Sequence, residues 1–199
     1  MNTYTVQRIS GTPDWSAVPV LAVRNHLWLP SEQIHMSAQI CYDETALYVR
    51  MQAVEENIRA EYHAPLSQVC EDSCMELFFS PEGDARYLNV EANPNCCFLM
   101  GLGTCRADRV RILPKKEEEL LAPKAERTAD GWVLTYRLPM TFLRVLYPSL
   151  MLQPGTVLHA NVYKCGDLTP APHFLSWNPV EHPTPDFHRP QDFGKFILA

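Results

Sequence analysis

The chain has 199 residues, 46% of them hydrophobic, and a formal net charge of −6, which suits one large domain with an ordinary core. The acidic balance comes without any basic block, which argues against a nucleic-acid partner, and no run reaches the roughly 18 apolar residues of a membrane helix. The start, MNTYTVQRISG, lacks a charged stretch followed by an apolar one, so no secretory leader is expected and the expected location is cytoplasmic.

Taken in order, the chain reads as strand after strand. Tyr4–Ile9 reads as an edge strand, Val18–Val23 is apolar, and His26–Leu29 is a short run stopped by Pro30. Met36, Ala38, Ile40 and Tyr42 alternate with polar residues, Asp43–Thr45 turns, and Leu47, Val49, Met51 and Ala53 alternate again, which predicts a hairpin. Asn57–His63 is an irregular excursion before Pro65. Met75–Ser80 and Arg86–Ala92 form a second hairpin around the turn formers Pro81–Asp84. Cys97–Gly103 and Arg106–Leu113 are further strands, and the charged run Lys115–Leu121 is a solvated loop or helical turn. Asp130-Gly131 joins Glu126–Thr128 to Trp132–Leu138 in a third hairpin. Phe142, Val145 and Leu146 have helical spacing, Val157–Lys164 is a core strand, and Phe193–Leu198 closes the chain after a Pro- and His-rich tail. About ten strands with few short helices and no βαβ alternation predict an all-β, two-sheet antiparallel β-sandwich, jelly-roll-like, in a single domain over residues 1–199.

The central hairpin carries the candidate chemistry. Side chains alternate faces along a strand. Leu88, Val90 and Ala92 therefore point one way, and Tyr87, Asn89, Glu91 and Asn93 the other. Glu76 interrupts the apolar run of the first strand and joins that polar row. Amides and carboxylates in register suit a ligand rich in hydroxyls, and they also suit a plain solvated sheet face. Asn161 and Tyr163 share one face of the last long strand and extend either reading, with Lys164 on the other face. Arg59 is placed to pair with a carboxylate of the hairpin.

The segments CYDETALYV, NIRAEY, CEDSCMELFFSPEGDARYLNVEANPN, NVYKCGD, HFLSW and PDFHRPQDFG together resemble carbohydrate-binding module family 9, in its free-standing single-domain form. The resemblance runs from about Met36 to the end. It implies a two-sheet β-sandwich that binds a sugar or oligosaccharide without chemistry, alongside a separate carbohydrate-active enzyme as a partner. In the xylanase-borne members two Trp rings clamp the sugar. Trp177 matches one of them, although in its Pro-rich tail it reads equally as a buried lid over the core, and the position of the other falls near Cys70, where no aromatic stands. Glu76 matches the family carboxylate, Glu91 stands where those members carry Arg, and Asn93 keeps the amide. The expected sugar-binding residues are thus Glu76, Glu91, Asn93, Trp177, Asn89 and Tyr163.

Two other classes compete. A glycoside hydrolase would use Glu76 and Glu91 as its carboxyl pair, about 5–5.5 Å or 6.5–9.5 Å apart. A haem or redox sandwich would draw axial ligands from Met75 or Met100 with a His. Metals enter as weaker expectations. Asp43 and Glu44 are candidates for structural calcium, which some relatives carry and which needs six to eight oxygens. His173, His182 and His188 with Asp186 and Arg189 form either a metal group or a rigid loop pinned by hydrogen bonds. Cys70 and Cys74 are four apart with no second pair at zinc spacing. Trp15, Trp28 and Trp132 read as core or rim.

Overall fold

The computed structural model describes residues Met1–Ala199, with fourteen strands and two short helices. Both helices fall on the expected segments: α1 is Glu117–Leu121 and α2 is Met140–Leu146. The strands are β1 (Thr3–Arg8), β2 (Leu21–Val23), β3 (Asn25–His26), β4 (His35–Tyr42), β5 (Ala46–Val54), β6 (Cys74–Pro81), β7 (Tyr87–Ala92), β8 (Phe98–Gly103), β9 (Val110–Ile112), β10 (Lys124–Arg127), β11 (Gly131–Pro139), β12 (Val157–Cys165), β13 (Phe174–Ser176) and β14 (Gly194–Leu198). All three expected hairpins form, as β4–β5, β6–β7 and β10–β11.

The architecture is all-β, but two of its details correct the expectation. There are fourteen strands rather than about ten, and eleven of them lie on one continuous path, β10-β11-β5-β4-β1-β14-β12-β6-β7-β8-β9, with β2, β3 and β13 pairing off it. Nor is the pairing purely antiparallel. β1 is not an edge strand: Thr3–Val6 pairs in parallel with β14, and Gln7 and Arg8 pair in parallel with β4. One six-residue strand therefore joins both halves of a curled, mixed sheet. β13, in the Pro- and His-rich tail, was not expected as a strand and pairs with β12 and β3.

The main core lies between the two halves. β4, β5 and β11 contribute Ile40, Val49, Met51, Trp132 and Leu134, and β6, β7 and β12 contribute Leu77, Phe79, Val90 and Val162. These residues occupy alternate positions along their strands, so each half buries its inward face. Within this core lies a polar group at one end of β5. Glu55 accepts hydrogen bonds from Trp132 Nε1 at 2.6 Å and Ser73 Oγ at 2.8 Å and pairs with Lys164 Nζ at 3.1 Å. Lys164 also donates to His173 Nε2 at 2.7 Å and to the Cys165 carbonyl at 2.9 Å.

The outward face of β6, β7, β8 and β12 is covered rather than solvated. The segments between β5 and β6 and between β13 and β14 fold across it. A second apolar cluster forms there from Val69, Phe78, Tyr87, Leu99, Tyr163, Phe187 and Phe193. This covering turns the polar row of the central hairpin into the floor of a cleft.

Candidate functional site

The outward residues of three neighbouring strands build the floor. In the β6–β7 ladder Glu76 stands opposite Glu91, and Phe78 opposite Asn89. In the β6–β12 ladder Tyr163 stands opposite Glu76, and Cys165 opposite Cys74. Opposed Cβ atoms in such ladders lie about 4.5–5.5 Å apart, so two carboxyls and two thiols meet on one small area. Glu76 and Glu91 are 2% and 4% exposed, which makes this a buried acid pair and not a surface row.

Above it lies a cavity of about 120 Å³. One side is aromatic. Trp28 meets Phe174 edge-on at 5.4 Å and lies 5.7 Å from Phe187, between ring centres. The Trp28 indole donates to the His182 carbonyl at 2.7 Å, and its backbone is left-handed, with φ 58°. A bulky residue pays strain in that region and holds it only where its surroundings dictate it. The other side is polar. Arg106 and Arg109 come from the loop between β8 and β9, Asp186 and His188 from the tail, and Cys70 and Asp167 from the turns beside β6 and β12. Arg106 Nη2 and Asp186 Oδ1, 2.9 Å apart, tie together the two loops that border the cavity.

The electrostatics follow from burial. Burial, then the neighbouring Glu91 charge, drives the Glu76 carboxyl well above its usual range. Burial raises Glu91 to about 7, with Arg109 working against the rise. Arg109 Nη1 is 3.4 Å from Glu91 Oε1 and 2.6 Å from His188 Nε2. Burial first, then Arg109, holds His188 down to about 3, so it is neutral and accepts from the guanidinium. Its Nδ1 lies 2.8 Å from Tyr87 Oη. The floor therefore presents two buried carboxyl groups and guanidinium N–H groups beside aromatic rings. It offers donors and acceptors at once, as a polyol requires.

Two of the six expected residues line this cavity, Glu76 and Glu91. Asn89 sits behind them, donating to Glu91 Oε1 at 2.9 Å. Asn93, Tyr163 and Trp177 lie elsewhere. Asn93 is buried and pins the covering segment, donating to the Tyr62 carbonyl and to Asp72 Oδ2, both at 2.8 Å. Tyr163 is sealed under Phe187, with the rings stacked at 4.2 Å. Of the two readings of Trp177, the ligand platform is corrected and the buried lid over the core holds: the indole packs in the main core at 5.3 Å from Phe196, above Gly194. Trp28, read as core or rim, is the tryptophan of the cavity. In the sequence His188 reads with the other tail histidines rather than with the sugar site. The expected strand Arg106–Leu113 is in the structure only Val110–Ile112, which leaves Arg106 and Arg109 on the loop before it.

The remaining expectations resolve locally. Arg59 pairs with Asp72, ahead of β6, and not with the hairpin carboxylates. Asp43 does not fit calcium, because its carboxylate already accepts from the Thr45 and Ala46 amides, Thr45 Oγ1 and Tyr48 Oη, and Glu44 pairs with Arg8. The three histidines do not converge. His173 is buried beside Lys164, His182 bonds within its own loop, and His188 faces Arg109. Met75 and Met100 pack in the apolar core. Cys74, Cys165 and Glu76, by contrast, do converge, with their ligating atoms all within 4.8 Å of one another.

The family model described as carbohydrate-binding family 9 matches residues 14–198. The chain belongs to carbohydrate-binding family 9. Among solved structures, a candidate carbohydrate-binding protein from Bacteroides uniformis ATCC 8492 superposes with a TM-score of 0.86 at 24% identity, covering 99% of each chain. A family 9 module from Caldicellulosiruptor kristjanssonii in complex with cellotriose gives 0.68 at 14% identity, over 99% of this chain and 93% of that one. The same organism's module with glucose gives 0.70 at 14% identity, over 100% and 96%. Likeness at such identities speaks for the fold. No curated protein matches this sequence closely enough to count as a relative.

Proposed function

We propose that this family 9 domain binds a sugar or oligosaccharide, without chemistry, in the cavity above Glu76 and Glu91. The observation that carries this is the cavity itself. Trp28, Phe174 and Phe187 offer flat apolar faces, and Glu76, Glu91, Arg106 and Arg109 offer hydrogen-bonding groups within one enclosure. Pyranose rings present apolar C–H patches and a rim of hydroxyls, and this pairing of surfaces suits both. The family assignment and the sugar complexes of the Caldicellulosiruptor modules support the same ligand class. A separate carbohydrate-active enzyme is the partner this reading implies.

Calorimetric titration with glucose and cellotriose, backed by a glycan array, tests the site. Trp28→Ala is expected to weaken binding at least about tenfold, or about 1.4 kcal/mol. Trp177→Ala lies outside the cavity. It is expected to cost about 3–5 kcal/mol of stability through the hole it leaves in the core, while its folded fraction keeps wild-type affinity. Wild-type affinity in Trp28→Ala, or no ligand for the native chain anywhere on the array, removes the assignment.

A further inference from the structure

We infer that the cavity floor holds a zinc ion on Cys74 Sγ, Cys165 Sγ and Glu76, with a fourth position open to the cavity. This inference stands apart from sugar binding, although it shares Glu76 with it.

The donor set comes from topology. Cys74 begins β6 and Cys165 ends β12, and the antiparallel register sets them directly opposite each other. Glu76 lies two residues beyond Cys74 and so faces the same side. All three side chains are buried, and Cys165 Sγ is 3.0 Å from Glu76 Oε1. Zinc takes thiolate at about 2.3 Å and carboxylate at about 2.0–2.2 Å in a tetrahedron, which places donors about 3.5–3.8 Å apart. The three atoms here already lie within 4.8 Å of one another. The Cys165 thiol now donates to Glu76, and zinc binding releases the ligand protons and opens that contact by about 0.6 Å.

The surroundings point the same way. Cys70 supplies a further thiol in the cavity wall, beside Asp167. Asp167 Oδ1 is buried and finds no hydrogen-bond donor in the protein. An acceptor left unsatisfied is costly, and a cation or a metal-bound water satisfies it. Two thiols with one carboxylate select a borderline-soft divalent ion over calcium or magnesium. Three protein ligands with an open fourth position is the arrangement of zinc sites that accept an exogenous ligand. The cavity gives the ion its entry path.

The test uses the full chain, stripped with a chelator and kept reduced with a phosphine. Zinc is titrated against a chromophoric chelator, and retained metal is counted after desalting. Cobalt is loaded in parallel, because thiolate-to-cobalt charge transfer identifies sulfur ligation. The expected result is one equivalent per chain with a thiolate band. Cys105→Ser, an exposed thiol away from the cavity, is expected to match wild type. Cys74→Ser and Cys165→Ser are each expected to bind at least about 100-fold more weakly. Glu76→Gln, nearly isosteric, is expected to weaken binding while circular dichroism stays native. The inference is overturned if the reduced native chain retains no metal, if cobalt binds without a thiolate band, or if the Cys74→Ser/Cys165→Ser double variant keeps its equivalent. Sugar affinity measured on the metal-stripped chain reports on the cavity separately.

Discussion

Lys164 is fully buried, which is rare for lysine and requires a partner. Its partner is Glu55, whose carboxyl burial works to raise but which Lys164 and the hydrogen bonds from Trp132 and Ser73 hold below its usual range. A buried pair of this kind contributes little net stability, yet breaking it leaves an uncompensated charge. Glu55→Ala is therefore expected to lose about 3–5 kcal/mol in urea denaturation. Adding Lys164→Met is expected to restore part of that loss, because the stranded ammonium goes with it. None of this was visible in the sequence. Alternation correctly put Lys164 on the face opposite Tyr163, but no residue near it in sequence announces Glu55 as its counterion. Trp177 stayed open between platform and buried lid for a similar reason. It follows a three-residue strand set among prolines, too short for parity to say which face an indole takes.

At the level of elements, period-two alternation carried most of what could be read. The β4–β5 and β6–β7 hairpins form where expected because alternating residues bury one face wherever a sheet packs. The Asp130-Gly131 turn also forms, but its glycine serves another purpose. Its φ is not positive, and a Cβ there would sit 1.9 Å from the Ala53 carbonyl oxygen. Gly131 lets β11 approach the end of β5, where the Asp130 carbonyl accepts from the Glu55 amide at 3.0 Å. Gly131→Ala is expected to cost at least about 1–3 kcal/mol by forcing the strands apart, read as a lowered melting temperature. The floor of the cavity was legible because it lies on strands. Its walls were not, because Trp28, Arg106, Arg109 and His188 lie on loops that only the closed sheet brings together.

For the whole molecule, burying two histidines, one beside the ion pair in the main core and one under the covering loops, shows at low pH. His173 faces Lys164 and Glu55, and burial followed by Lys164 holds it down to about 4. His188 faces Arg109, Arg106, Arg111 and Asp186, and is held down to about 3. Both are neutral when folded, whereas unfolded they take up protons below about 6.5. The unfolded state thus binds more protons between about 6.5 and 4, and stability falls as pH drops through that window. Each histidine contributes up to about 1.4 kcal/mol per pH unit. His173→Gln is expected to flatten this acid limb in melting curves taken across pH, and its deficit against wild type should shrink as pH falls. A deficit that stays constant across the window would show that His173 does not titrate on unfolding.

The parallel pairing of β1 with β14 ties residues from the two ends of the sequence into neighbouring places. During synthesis, then, the ribosome releases β1 long before its companion exists. The sheet path stays broken at its middle until Gly194–Leu198 emerges, and only then does the seam that holds both halves together close.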